Sequence, residues 1–164
     1  MIAAVVLAAG AATRFGSPKQ QFLLAPILQR VGASMVDDVL VVIGAYQVET
    51  EARTVKCDEW ERGPGASLRC GLEVLPEDAQ AAVVVLADGP QLNPLAIDRL
   101  IEAWEASGEE VLAATYGGER SHPVLLARSA WSRVPDEGAR SLDAVRIPCD
   151  DLGPPGDVDT PEDL

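Results

Sequence analysis

Arg14 and Lys19 lie in one loop, just after an apolar run that closes at Leu7 and three small residues, Ala8, Ala9 and Gly10. Small side chains let backbone N–H groups come close to an anion, and an arginine with a lysine neutralises it, so this loop suits a polyphosphate. The spacing matches neither the Walker A loop nor the Rossmann G-x-G-x-x-G turn. A carboxylate, Asp88, ends a second apolar run and is followed by Gly89 and Pro90. Such an acid can hold Mg²⁺, which takes one or two carboxylates together with phosphate oxygens and water. Asp-Gly-Pro also starts β-turns, so the position has a purely structural use as well. Ser67 follows Gly63-Pro64-Gly65 and falls in the first turn of a helix, where N–H groups and a hydroxyl can meet a base or ribose. His122, the only histidine, precedes Pro123, which holds it extended and aims its ring. The closing DVDTPEDL carries Asp159 ahead of Thr160-Pro161, a helix start with acids that suit the dipole.

The elements that must position these residues alternate between strand and helix. Residues 2–7, 38–44 and 81–87 are Val-, Ile- and Leu-rich without polar alternation, as expected of parallel strands covered on both faces. Residues 65–75 place Leu68, Leu72 and Leu75 at helical spacing. Asn93-Pro94 caps and opens another helix, with Leu95, Ile97, Leu100, Ile101 and Trp104 as its apolar face and Gly108 at its end. Further strands are expected at 111–115 and 123–127, and helices at 129–134 and 139–145. The pattern predicts a single-domain α/β fold, a doubly wound, mostly parallel sheet. Ligands of such sheets bind beyond the carboxyl ends of the strands, where Gly10, Gly44 and Asp88 all fall. The stretch between Lys19 and Val39 gives a short but feasible parallel crossover.

Composition narrows the function. The 164 residues carry 26 acidic against 13 basic side chains, a formal net charge of −13. That excess argues against a broad nucleic-acid or anionic-membrane surface, yet leaves room for one local phosphate site. No apolar run approaches the length of a membrane span, and no basic region precedes Ile2, so a soluble, cytoplasmic protein is expected. The cysteines, Cys57, Cys70 and Cys149, are odd in number and lack C-x-x-C spacing, so neither a zinc site nor a disulfide framework is expected. Cys70 is expected in the core, and Arg69 as a surface charge.

The opening stretch resembles the signature L-A-A-G-x-x-x-R-F-G-x-x-K-Q of nucleotidyltransferases, in particular the MobA/MocA-like group that attaches a nucleotide to the molybdenum cofactor. Four further segments are similar to that group in the same order. They are GPGASLRCGL, LADGP (usually L-A-D-x-P with Gln or Met where Gly89 stands), YGGERSHPVL (Ser121 in place of Gly) and DVDTPEDL; DEGAR is a further match. The resemblance implies a Rossmann-like nucleotide-diphospho-sugar transferase fold. It implies that Leu7, Ala8, Ala9, Gly10 and Ser67 meet the nucleotide, that Arg14 and Lys19 neutralise the triphosphate, and that Asp88 and Asp159 hold Mg²⁺. His122 would line the pocket of the second substrate, and Arg140 would reach its phosphate. The Leu7-Ala8-Ala9-Gly10 form favours CTP over GTP, with molybdopterin as acceptor and a molybdenum hydroxylase as a recipient of the product. The alternatives are a guanylyltransferase, a sugar- or polyol-phosphate cytidylyltransferase, or a degenerate nucleotide-binding escort for a molybdenum enzyme.

Overall fold

The computed structural model describes residues 1–9, 19–45 and 47–156, and the side chains of all of these except 19–22. The first apolar run forms β1 (Ile2–Ala8), buried on both faces along nearly its whole length. It leads to α1 (Lys19–Gly32) and β2 (Asp38–Ile43), then to a short β3 (Arg53–Lys56). After a 3₁₀ turn come α2 (Pro64–Glu73), β4 (Ala81–Leu86) and α3 (Pro94–Ser107). Strands β5 (Val111–Tyr116) and β6 (Glu119–Ala127) follow, with β7 (Val145–Pro148) last.

Among the described residues the strands form one seven-stranded sheet in the order β3-β2-β1-β4-β6-β5-β7. All run parallel except β6, which is antiparallel to both neighbours, β4 and β5. The fold is therefore the α/β, mostly parallel sheet that the sequence predicts. Period-2 geometry sends alternate side chains of each strand to opposite layers. Ala4 and Val6 pack with Leu24, Ile27, Ile97 and Leu100 of α1 and α3. Ala3 and Val5 pack with Leu68 and Leu72 of α2 on the other face. The two apolar layers are why β1 and β4 read as continuous hydrophobic runs. Helix α3 begins as expected: the Asn93 side-chain Oδ1 accepts from the Leu95 N–H at 3.0 Å, Pro94 is the first helical residue, and Gly108 ends the helix at φ 71°. Leu95, however, is 55% exposed and lies off the apolar face assigned to it.

Two other expectations are corrected. Residues 139–145 are not a helix. Ala139–Ser141 is one 3₁₀ turn, after which the chain extends into β7. Strands β3 and β7 stand at the two edges of the sheet with mostly exposed side chains, and so offer no apolar run to read. Finally, Cys57 and Cys70 are joined as a disulfide with their Cα atoms 5.8 Å apart. Cys57 directly follows β3 and Cys70 lies in α2, so proximity comes from the packing of α2 beside β3 rather than from sequence spacing.

Candidate active site at the carboxyl edge of the sheet

Strands β2 and β3 extend the sheet on one side of β1, while β4 lies on the other. The crevice outside an α/β sheet opens at such a reversal. Leu7 pairs in register with Leu86, and the Ala87 N–H donates to the Leu7 carbonyl at 3.1 Å. Ala8 and Ala9 therefore leave the sheet beside Ala87 and Asp88. A turn closed by the Gly89 N–H on the Leu86 carbonyl, at 3.2 Å, holds Asp88 half-buried at this edge. Asp88 thus sits inside a turn that begins at Leu86, rather than starting one itself as Asp-Gly-Pro suggested. Two longer-range bonds brace the segment that follows. Arg30 of α1 donates to the Leu92 carbonyl at 3.1 Å, and the Gln91 N–H donates to the Pro155 carbonyl at 2.8 Å.

Because β6 is antiparallel, its beginning arrives where β1 and β4 end. Val124 pairs with Val84, and two residues back along β6 the His122 Nδ1 accepts from the Leu86 N–H at 3.4 Å. The Tyr116 hydroxyl donates to the His122 carbonyl at 3.1 Å. His122 is 7% exposed, and burial pushes its imidazole down to about 4. The ring is neutral at pH 7. With Nδ1 accepting a backbone proton, the ring's own proton is assigned to Nε2.

A cavity of about 240 Å³ opens here, with walls that include Leu7, Leu68, Leu86, Arg120, His122 and Arg140. Three residues expected at the site, Leu7, His122 and Arg140, thus come together from distant parts of the chain. Ala8 and Ala9 are buried beneath the same edge. Ser67 lies in the first turn of α2 at 3% exposure, and it is not part of the cavity wall. Lys19 opens α1. Gly10, Arg14 and Asp159 lie outside the described residues.

The rim of the cavity is held by two arginines whose roles the sequence reading missed. Arg120 donates to the carbonyls of Leu142 and Ala139 at 2.6 and 2.8 Å, fixing the turn that carries Arg140. Its Nε is buried without a hydrogen-bond partner among the described residues. Burial, and then the Arg146 charge, lower the affinity of this guanidinium for its proton. Its place in the YGGERSHPVL segment, two residues before His122, was the one available signal. Arg69 is not the surface charge expected of it. It donates to the Val134 carbonyl at 2.8 Å and to the Asp136 carboxylate, tying α2 to the segment before Gly138. Arg69, with Arg62 adding to it, holds the Asp136 carboxyl below its ordinary range. At Gly65 a methyl group would stand 1.6 Å from the Pro135 carbonyl oxygen, so the helix start and this segment touch backbone to backbone.

The model of the MobA-like NTP transferase domain matches residues 4–146, nearly the whole described sheet. The chain belongs to that family. It is similar to the bifunctional protein GlmU of Rubrobacter xylanophilus, at 33% identity over 139 residues, covering 76% of this chain and 29% of that protein. The chain thus spans less than a third of the length of that curated relative. Among solved structures, Rv0371c from Mycobacterium tuberculosis H37Rv superposes with a TM-score of 0.82 at 25% identity, covering 99% of this chain and 94% of that one. A manganese complex of the same mycobacterial protein gives a TM-score of 0.72 at 21% identity, covering 99% and 92%. Molybdopterin-guanine dinucleotide biosynthesis protein A from Archaeoglobus fulgidus gives 0.70 at 17%, covering 99% and 94%, and shares the fold. Among the described residues no helix is long and apolar enough to cross a membrane.

Proposed function

We infer that the chain transfers a nucleoside monophosphate from a triphosphate to the phosphate of a small acceptor seated in the cavity between Leu7, His122 and Arg140. The observation that carries this reading is the convergence of β1, β4 and β6 on one edge. Leu7 at the end of β1, Leu86 at the end of β4 and His122 near the start of β6 meet there in one cavity whose lining also carries Arg120, Arg140 and Glu137. An oxygen of the acceptor phosphate attacks the α-phosphorus, the bond from the α-phosphorus to its bridging oxygen breaks, and pyrophosphate leaves. No protein nucleophile is needed. Catalysis consists of positioning and charge neutralisation, the logic common to phosphoryl transfer.

The roles follow from the residue types. Arg14 and Lys19 neutralise the triphosphate and the departing pyrophosphate. Leu7, Ala8, Ala9, Gly10 and Ser67 support the nucleotide, and Arg140 meets the acceptor phosphate. Asp88 and Asp159 hold Mg²⁺, which would supply charge stabilisation at the phosphates when bound. Among the described residues there is no cluster of three or more metal-ligating side chains. A pair of carboxylates such as Asp88 and Asp159 would suit magnesium, which takes few carboxylates and fills its shell with phosphate oxygens and water. The manganese complex of the mycobacterial relative supports use of a divalent cation.

The cavity walls bear on the acceptor. Leu7, Leu68, Val84, Leu86 and Val124 are apolar, which suits the flat ring system of molybdopterin better than a polyhydroxylated sugar or polyol phosphate. The expectation of cytidine comes from the Leu7-Ala8-Ala9-Gly10 form, in which Ala9 is 4% exposed within the α2-side core. That residue has little surface to offer a base, which strengthens the guanylyl alternative. The test is pyrophosphate release with Mg²⁺ and molybdopterin, run with GTP and with CTP, then with erythritol 4-phosphate in place of molybdopterin. Release with one triphosphate and one acceptor assigns both. Tight Mg²⁺-dependent nucleotide binding without release under any pairing would favour the escort instead.

A further inference from the structure

Gly89 follows Asp88, and a methyl group built on its Cα would stand 2.6 Å from Nε2 and 2.8 Å from Cε1 of His122, and 3.1 Å from Cβ of Pro155. Such distances are far inside van der Waals contact, so ring and methyl exclude one another. The ring cannot easily swing aside. It is buried, its Nδ1 is engaged by the Leu86 N–H, and its backbone carbonyl is held by the Tyr116 hydroxyl. The Nε2 edge faces the space that a side chain at 89 would occupy, and Nε2 has no hydrogen-bond partner among the described residues. His122 is also part of the cavity wall.

We propose that Gly89 and His122 form one specificity element, in which the missing side chain at 89 admits the imidazole and the imidazole offers the acceptor a fixed, uncharged N–H donor. This rests on reading the cavity as the acceptor's seat. A donor of this kind recognises an oxygen or an unprotonated ring nitrogen, and rejects an N–H or ammonium presented at the same point. The acceptor class is therefore one with such an atom near its phosphate-bearing end.

The only histidine in the chain gives a direct reporter. ¹⁵N NMR of the imidazole is recorded for the wild type and for Gly89→Ala. Steady-state kinetics compare Gly89→Ala, His122→Ala and the double variant, with molybdopterin and with erythritol 4-phosphate as acceptors. The wild type should show the Nε2–H tautomer, and Gly89→Ala should shift the ring resonances. Each single variant should raise the acceptor KM about tenfold, the cost of one lost hydrogen bond, with the triphosphate KM unchanged. The double variant should be no worse than His122→Ala, and more stable than Gly89→Ala because the clash is gone. An Nδ1–H tautomer, unmoved resonances in Gly89→Ala, or single effects that multiply in the double variant would overturn the pairing. If neither acceptor is turned over, the proposed function fails, while the spectra and the stability comparison still decide the pair.

Discussion

His122 is neutral because it is buried, and that has a measurable consequence. Its pKa falls from an ordinary 6.5 to about 4 in the folded chain. Between those values the unfolded chain binds the proton that the folded chain refuses, so stability rises with pH across that window. Lowering the pH from 7 through 4 should remove about 3 kcal/mol from this one group. Denaturant titrations at several pH values would show the slope, and His122→Gln should flatten it between pH 4 and 6.5. A wild type whose stability is unchanged over that range would contradict the buried, neutral ring. If Asp88 holds Mg²⁺ as proposed, Asp88→Ala should abolish Mg²⁺-dependent turnover, with nucleotide binding by titration calorimetry losing its dependence on the cation.

At the scale of elements, much was legible because both layers of the core are apolar. Strands β1, β2 and β4 carry uninterrupted aliphatic runs, and α3 announces itself with Asn93-Pro94 and Gly108. What escaped was held by something other than hydrophobic pattern. The edge strands RTVK and VRIP expose most of their side chains. The turn at Ala139–Ser141 has apolar residues that mimic a helix, but it is pinned by the Arg120 guanidinium from β6. In α3, Leu100 is fully buried against the sheet, and Leu100→Ala should cost about 3 kcal/mol, read as a lowered denaturant midpoint. The Cys57–Cys70 bond closes a loop of 13 residues between the end of β3 and α2. Replacing both cysteines with serine should cost about 3 kcal/mol, and a reducing agent should lower the Tm of the wild type but not of that variant. Equal Tm values for the two proteins under oxidising conditions would count against the bond.

Seen as a whole molecule, the chain builds one face for chemistry. The reversal of strand order at β1, and the single antiparallel strand β6, bring residues from near positions 7, 88, 122 and 140 to one edge of the sheet. Residue types alone pointed to Leu7, His122 and Arg140, which the fold brings to one cavity. The geometry of the site was not legible, because the role of Gly89 depends on a ring thirty-three positions away (122 − 89 = 33), across β4 and β6. The two stabilising arginines, Arg69 and Arg120, were hidden for the same reason: their partners, backbone carbonyls and for Arg69 also the Asp136 carboxylate, are brought near only by the fold. The acidic surface and its net charge of −13 leave the local cations to act on a small phosphate ligand and not on a polyanion.

The measurement that bears most directly on the central claim is transfer of label from α-³²P-labelled GTP, and separately CTP, to molybdopterin in the presence of Mg²⁺. The account predicts that label appears covalently in the acceptor product with release of unlabelled pyrophosphate, and that Asp88→Ala abolishes both. Label that stays in the triphosphate while the nucleotide binds tightly, or transfer that survives Asp88→Ala undiminished, would contradict it.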